Sequence, residues 1–494
     1  MNPARGQRLT LAGSITGAVI VALDGSVLTV VQPVLQRELH ASVTQVQWTS
    51  TGYLIAVASL LVFAGRLGDH YGHKRIFATG VLGFAVTSAA IGLAESIGPV
   101  IGLRIAQGVF GALLQPATLG MLRAAYPPGR LAMPIALRTS AIGVAVAAGP
   151  ILGGALAAHM GWRSVFFLSV VPAIAAGVLA LYVPIPETRR PGPGLRGLNL
   201  PGAFLLAATL GCLVHTLVGL PDSGWTPVSS LAAAAAVTAG SAFVLHERRT
   251  ANPLVPPAVL RSVPVISALA VLVSASASLF GVLFLGTYLL QDVLGLDPFT
   301  TALHMLPMAV MMVLGAPASA VLQRRLGYRA TTMTGMLLLA LGILLVSRLD
   351  EASGFGPVSL CFLVMGAGFA PVMVTATAVI VHQASVNTAG VSGGLQQTAM
   401  NIGPALGVAA TTMLMGLATP GTAGVGGSGA AFVQAMGPTL VVLAALGVAG
   451  AAMAVGLPGR DRQPARSGCR AARAQTGMRY RTGRESSSGP PSAR

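Results

Sequence analysis

The stretch GRLGDHYGHKR, residues 65–75, places four formally charged side chains between two apolar segments. VASLLVFA precedes it and IFATGVLGFAVTSAAIGLA follows it, and neither contains a charged residue. A short polar segment between apolar runs of this kind is typical of a connection between two membrane-spanning helices. The stretch therefore predicts a membrane protein, and the remaining sequence should contain further spans.

Composition supports that prediction. The chain has 494 residues, of which 54% are hydrophobic and only 9% are charged, against roughly 25% charged residues in soluble domains. No Lys, Arg, Asp or Glu occurs between Ala352 and Gly459, a stretch far longer than the ~20 residues that cross a bilayer as a helix. The runs are continuously apolar rather than alternating, which favours helices over transmembrane β-strands. We expect an all-α polytopic membrane protein.

Charge-poor runs of helical length predict about fourteen transmembrane helices. The predicted spans lie at 11–33, 48–65, 76–94, 98–120, 137–158, 164–184, 200–219, 227–245, 264–290, 300–321, 331–347, 357–381, 395–418 and 430–457. With a cytoplasmic N-terminus, only Arg37, Arg163 and Arg348 of the 30 basic residues fall outside, and Arg104 lies within a span. This asymmetry predicts that both termini are cytoplasmic. The net charge of +17 is thus explained by basic residues in the cytoplasmic segments, and nucleic-acid binding is not expected.

The charged stretch resembles the loop motif of the major facilitator superfamily, although His73 stands where the motif usually has Arg. The matching residues are Gly65, Leu67, Asp69, Gly72, Lys74 and Arg75. We expect Gly65 and Gly72 to permit turns at helix ends, and Asp69 to accept hydrogen bonds near a helix N-terminus and to pair with neighbouring Arg or Lys.

Other segments resemble motifs of the same superfamily. LRIAQGVFGALLQP, 103–116, is similar to its fourth-span motif through Arg104, Gln107, Gly108 and Gly111. GVAVAAGPILGGAL, 143–156, is similar to the fifth-span antiporter motif through Gly149, Pro150, Gly153 and Gly154. ALDGSVLTVVQPVL, 22–35, resembles the first-span signature of fourteen-span drug/proton antiporters, with Asp24 and Pro33 in register.

This resemblance implies two six-helix bundles built from inverted repeats, with a substrate cavity between them and two extra central spans. The expected divisions are an N-terminal bundle (1–185), a linker with the extra spans (186–262), a C-terminal bundle (263–457) and a disordered basic cytoplasmic tail (458–494). AVLQRRLGYR, 320–329, aligns with the charged stretch, with Gly327 at the position of Gly72. Arg324 occupies the position of Asp69, so this copy lacks the carboxylate.

Two ionisable residues lie inside predicted spans. Asp24 is the only acidic residue well within one, and a charged carboxylate there costs roughly 2.5–3.5 kcal/mol to insert. It can exchange a proton or meet a cationic substrate, or simply satisfy a polar contact. Arg104 stays charged and must find acceptors or a cavity. The resemblance assigns it to proton coupling, with a structural role as the alternative.

Further candidates carry less chemistry. Pro150 removes a helical hydrogen bond, and the glycines beside it permit close helix contact, which is ordinary packing in lipid or, by resemblance, part of antiport. Gln107 and Gln291 are possible pathway residues. Trp162, next to Arg163, is expected to anchor the outer interface. No metal-ligand spacing and no Walker-type motif occurs, so we expect no metal and no cofactor other than a proton gradient.

The predicted function is proton-coupled efflux of hydrophobic or amphipathic drugs or antibiotics by alternating access, performed by a transporter rather than an enzyme. The alternatives are a proton symporter or facilitator for a metabolite, and a non-transporting membrane sensor with the same fold. The expected partners are the small-molecule substrate, protons and membrane lipids, with a monomer as the working unit. Abundant Ala, Gly and Arg with a single Lys suggest a GC-rich bacterial genome, and the expected location is the bacterial plasma membrane, which the chain crosses several times.

Overall fold

In the computed structural model of the protein, the described residues are 3–182, 199–250, 252–296, 298–350, 353–384, 388–418 and 429–459. Within these ranges the chain is helical and contains no β-strand. The predicted tail from residue 460 onward and the segment 183–198, which holds the first predicted division, lie outside them.

Seven helices form the N-terminal half. Their bounds are α1 Pro3–Glu38, α2 Val43–Tyr71, α3 His73–Gly92, α4 Ile97–Ala125, α5 Ala132–Met160, α6 Trp162–Leu168 and α7 Val170–Tyr182. The short α6 continues almost directly into α7, and the two together cross the apolar layer as one span.

A central hairpin and the C-terminal half follow. The hairpin consists of α8 Leu200–Ser223 and α9 Pro227–Arg249, and the half contains α10 Pro257–Leu260, α11 Val263–Tyr288, α12 Pro298–Val346, α13 Phe355–Gln383, α14 Ala389–Ala418 and α15 Gly429–Met453. Among the described residues, 13 helices are long and apolar enough to cross a membrane. One of these is α12, whose 49 residues bend at Gly327 and provide two spans. The described residues therefore provide fourteen spans, the number that the sequence predicts.

Two glycines separate consecutive spans in equivalent places. Gly72 joins α2 to α3 with a φ of 96°, and Gly327 divides α12 with a φ of 84°. Side chains disfavour this backbone conformation, so glycine allows one residue to reverse the chain direction. The alignment of these two glycines in the sequence is thus reproduced by the backbone.

The charged stretch is not a loop, contrary to the sequence prediction. Helix α2 continues through Gly65 and Asp69 to Tyr71, and α3 begins at His73. The prediction that Gly65 ends a helix is wrong, since it lies inside α2. A polar sequence favoured a loop, but a helix that leaves the bilayer can keep its backbone hydrogen bonds while charged side chains reach water.

Both ends of the described chain lie on the same side of the helix layer. At the N-terminal end the Gln7 side chain donates to the Ala125 carbonyl. At the C-terminal end Arg329, two residues after Gly327, donates to the Leu457 carbonyl. We name this side the Gly72 end and the opposite side the Trp162 end. An even number of crossings requires this arrangement.

Trp162 does not anchor a lipid interface. Its side chain is fully buried and meets Phe166 edge to face at 6.0 Å. Arg163 instead covers the ring, with its Cζ 4.6 Å from the ring centroid, and donates to the Ala94 carbonyl just after the end of α3. The pair fastens α6 to α3.

Candidate functional site

An ion pair between α1 and α4 forms the polar centre of the N-terminal half. Arg104 Nη1 lies 2.7 Å from Asp24 Oδ2, and the two side chains are 1% and 6% exposed. Arg104 also donates through Nε to the Thr49 carbonyl at 3.1 Å and through Nη1 to Gln107 Oε1 at 2.5 Å. Its charge is thereby matched by three acceptors inside the helix layer, which offsets the cost of burial.

Uncharged polar groups extend this centre. Gln107 Nε2 donates to Ser88 Oγ at 2.6 Å and to Asp24 Oδ1 at 3.3 Å. The Tyr53 ring lies 4.4 Å from Arg104 Cζ, within the range of a cation–π contact. We name Asp24, Arg104, Gln107, Ser88 and Tyr53 the ion-pair cluster. Gln107 Oε1, the Thr49 carbonyl and the Tyr53 ring thus contact Arg104 in addition to Asp24.

The antiporter motif packs directly behind Asp24. A Cβ added at Gly149 would lie under 3.0 Å from the Ser26 side chain, and one added at Gly153 would lie 2.7 Å from Val27 Cγ1. Helix α5 therefore approaches α1 at the two residues that follow Asp24 and Gly25. Small residues at such positions let helix backbones come close in lipid, so α1 and α5 are in direct contact beside Asp24.

A cavity of about 570 Å³ lies between the two halves. Its walls come from α1, α2, α4, α5, α8, α11 and α14, and its polar lining residues are Ser26, Tyr53, Gln115 and Asn401. None of the lining residues carries a formal charge. The remaining lining is apolar, with Phe280 and Met400 as large, adaptable surfaces. Tyr53 belongs to both the cavity and the ion-pair cluster and so joins the two.

The Gly72 end of this cavity is closed by Asp69. Its Oδ1 accepts from the Gly390 N–H at 2.7 Å and its Oδ2 accepts from the Val391 N–H at 3.0 Å. These N–H groups belong to the first turn of α14, where a helix offers them no acceptor of its own and where the helix dipole also favours a negative charge. Asp69 thus links α2 to the opposite half. His73 Nε2 lies 3.2 Å from the same carboxylate.

Glycines make that link possible. A Cβ at Gly65 or at Gly390 would lie well under 3.0 Å from the carbonyl oxygen of the other. His73 packs on Gly68, Gly120 and Gly390, where an added Cβ would come within 2.8 Å of its ring. We name the contact of Gly65 and Asp69 with Gly390 and Val391 the Asp69 latch.

Further bonds join the halves, at this end through Arg123 and deeper in the bundle through Gln397 and Ser140. Arg123 Nε donates to the Ala384 carbonyl at 3.1 Å, at the C-terminal end of α13. Gln397 donates to Gln115, and Ser140 Oγ donates to the Val313 carbonyl at 2.8 Å. The N-terminal half therefore presents an anion to the start of α14 and a cation to the end of α13, each matching the local helix dipole.

The family model described as Major Facilitator Superfamily matches residues 15–408. The chain belongs to the major facilitator superfamily. The residues of the ion-pair cluster and of the Asp69 latch all lie within this match. The protein is a multi-pass membrane transporter rather than an enzyme.

Curated relatives in this superfamily are bacterial resistance and export proteins. The tetracenomycin C resistance and export protein of Streptomyces glaucescens is 43% identical over 401 residues, covering 81% of this chain and 74% of the relative. The puromycin resistance protein pur8 of Streptomyces alboniger is 31% identical over 405 residues, covering 80% and 79%. The multidrug efflux pump LfrA of Mycolicibacterium smegmatis is 29% identical over 394 residues, covering 79% and 77%.

A solved structure supports the fold. The human organic anion transporter MFSD10 (TETRAN) superposes with a TM-score of 0.61 at 14% sequence identity, covering 92% of this chain and all of the other. At this identity the likeness concerns the arrangement of helices.

Other predicted site residues of this superfamily member lie apart from the cluster. Gln291 occupies a π-helical turn after α11 and is not among the residues that line the cavity. Lys74 and Arg75 begin α3, and Arg75 is exposed. Gly154 is half-buried in α5. Pro150 lies in the same helix, and its side chain is outside the described part of the structure.

Sequence reasoning missed several residues of the site. Tyr53, Ser88 and Asn401 are single uncharged polar residues in apolar runs and carry no distinct pattern. Gln115 stood inside the quoted fourth-span segment without being singled out. The cavity-facing residues of α8 were also missed, because the resemblance treats the extra spans as an insertion.

Proposed function

We propose that the protein exports uncharged or weakly charged hydrophobic compounds from the cell in exchange for protons. The observation that carries this proposal is the position of the Asp24–Arg104 pair beside a cavity whose lining has no formal charge. A desolvated charged compound would lack a counter-charge in that cavity. An apolar ring system with a few polar groups would fit its lining. The names of the relatives, which include resistance and export proteins, support the same physiology.

Asp24 is the proposed proton carrier. In the unprotonated state its carboxylate holds Arg104 and so joins α1 to α4. Protonation removes the negative charge and weakens that link, while Gln107 and the Thr49 carbonyl still hold Arg104. Because Gly25 and Ser26 line the cavity and Ser26 touches Gly149, the change at Asp24 acts on the cavity wall and on α5.

We further propose that the Gly72 end faces the cytoplasm, as the distribution of basic residues predicts. The described conformation would then be closed to the cytoplasm and represent the state that releases substrate outward. Alternation would require the Asp69 latch to break and the opposite ends of the halves to close. One chain contains both halves and the cavity, which is consistent with a working monomer.

The test uses purified protein in liposomes with an imposed pH gradient. We expect Nile red, an uncharged hydrophobic dye, to move against the proton flow, and rhodamine 6G, a permanent cation of similar ring size, to move much less. Asp24→Asn should abolish the dependence on the pH gradient. Because Asp24→Asn keeps the shape of the side chain, it should retain dye exchange down its own gradient.

Other outcomes would contradict specific parts of the proposal. Protons and dye moving in the same direction would favour a symporter. Gradient-driven transport that survives in Asp24→Asn would place the proton step at another residue. Equal transport of both dyes would refute the preference for uncharged compounds, and absence of transport of any tested compound would favour the sensor interpretation.

A further inference from the structure

The inserted hairpin forms part of the cavity rather than a separate accessory. Val214, Leu217 and Val218 of α8 line the same cavity as Leu54 of α2 and Met400 of α14. Val214 is only 4% exposed although it belongs to a span added to the twelve-helix core. The helix that follows, α9, has the opposite character, since Val237 is 71% exposed and faces away from the protein.

The position of α8 follows from how α2 and α14 diverge. These helices belong to opposite halves and touch at Gly65 and Gly390. About two to three turns further toward the Trp162 end, their residues Val57 and Met400 line the cavity. A gap between two diverging helices at the rim of the bundle would open to lipid. Helix α8 packs against both of them and covers this gap.

Several contacts hold α8 on α2. A Cβ added at Gly211 would lie 3.0 Å from Ser59 Oγ, which shows a close approach of the two helices. Nearer the Trp162 end, the rings of Trp48 and His215 stack with centroids 6.0 Å apart. Val62 of α2 and Ala203 of α8 share the same buried core.

At the Gly72 end the hairpin is tied to the C-terminal half. Asn199, which caps α8, donates to Glu247 of α9 at 2.6 Å. Glu247 in turn accepts from the backbone N–H groups of Leu254 and Val255 at 2.9 and 3.1 Å, ahead of α11. Helix α8 is therefore fixed to both halves and keeps its place beside the cavity.

We propose that α8 is a wall of the substrate-binding cavity and that Leu217 and Val218 determine which hydrophobic compounds the protein accepts. This inference rests on the proposed export function for its ligand class. In an apolar pocket a few methylene groups change discrimination by about tenfold or more. Shortening these side chains should therefore favour larger compounds, and the ratio of two export rates should change more than either rate alone.

The first experiment compares Leu217→Ala and Val218→Ala with Val237→Ala, a matched substitution on the lipid-facing side of the same hairpin. Export of Nile red and of a larger uncharged polycyclic antibiotic is measured in parallel. We expect the ratio of the two rates to shift about tenfold toward the larger compound for the α8 variants and to stay unchanged for Val237→Ala. A ratio that changes equally in all three variants, or in none, would overturn the proposal.

A second experiment detects binding without requiring transport. Leu217→Cys is introduced into a protein whose native cysteines are replaced by Ser, and its reaction rate with N-ethylmaleimide is measured with and without Nile red. Trp225→Cys, in the exposed turn between α8 and α9, serves as the labelling control. We expect the dye to slow labelling only at Leu217→Cys, also when combined with Asp24→Asn.

The two measurements separate the inference from the export function. If Nile red slows labelling at Leu217→Cys in a protein that transports nothing, the result would contradict the export proposal and support the assignment of α8 as a cavity wall. Transport of Nile red by the wild-type protein without any protection at Leu217→Cys would refute the α8 wall and leave export intact.

Discussion

Replacing Gly390 by Ala should prevent the Gly72 end from closing. The added Cβ would overlap the Gly65 carbonyl oxygen, at a separation far below the 3.0 Å minimum found for Cβ contacts in proteins. It would also lie 2.8 Å from His73 Cε1. The carbonyl belongs to the rigid backbone of α2 and cannot rotate away. The two helices must therefore separate by about 1 Å, the kind of backbone shift that overpacking produces.

The cost can be estimated from the bonds that such a shift breaks. Overpacking contributes about 1–3 kcal/mol. Asp69 accepts from the N–H groups of Gly390 and Val391, and each hydrogen bond to a charged group contributes about 1.5–3 kcal/mol. Loss of both bonds with overpacking therefore costs about 4–9 kcal/mol, which disfavours the closed Gly72 end by a factor of about 10³ or more. Because Gly65 and Gly390 belong to different halves, each half should still fold.

The assay is a distance between spin labels at Arg130 and Arg325, which are exposed at the Gly72 end of opposite halves. In Gly390→Ala the distance distribution should move to longer values, and export should fall severely. Gly416→Ala is the control, since it makes the same change on the same helix where nothing lies within 4 Å. An unchanged distance in Gly390→Ala with normal export would refute this description of the closed end.

Three further predictions concern the same contacts. Asp69→Asn removes the charge from the latch and should destabilise the closed conformation by about 2 kcal/mol, which lowers the ratio of closed to open molecules roughly 30-fold. The same spin labels measure this ratio, and an effect no larger than that of Gly416→Ala would argue against the latch. Arg123→Gln should destabilise the closed conformation by only about 1 kcal/mol, because this side chain is partly solvated. A change in the label distance as large as that of Asp69→Asn would show that Arg123 contributes as much as Asp69 and so contradict this prediction. Gly149→Ala should abolish export, because its Cβ overlaps Ser26, and the second substitution Ser26→Gly should restore part of it; failure of this rescue would place the defect elsewhere.

The sequence predicted the spans well because lipid imposes a simple physical requirement. A bilayer needs apolar helices of a minimum length, so charge-free runs locate them. The predicted span 11–33 falls within α1, and Gly327 was correctly aligned with Gly72. The bounds were less accurate where helices continue into water, as α2 does to Tyr71. Beyond the membrane, hydropathy no longer distinguishes a helix from a loop.

The site was only partly predictable for a different reason. Asp24 and Arg104 stand out because buried charges are rare, and the structure brings them together across 80 positions of sequence. The partners of Asp69 are backbone N–H groups more than 300 positions away, and backbone groups leave no trace in a residue pattern. Tyr53 and Asn401 can be recognised as site residues only from the structure, in which both line the same cavity.

The two seams at the Gly72 end are unequal, and this implies an order of events during opening. Helices α2 and α14 meet there through the charged Asp69, whereas among the described residues α5 and α12 are joined by packing and, deeper in the bundle, by the bond from Ser140 to the Val313 carbonyl. Arg324, in the position of Asp69, is exposed and has the wrong sign to hold a helix N-terminus. We expect the α5–α12 seam to part first, with the α2–α14 seam acting as a pivot until the Asp69 latch also breaks. A compound entering from that side would then pass α5 close to Gly149 and Gly153, which pack against α1, the helix that carries Asp24.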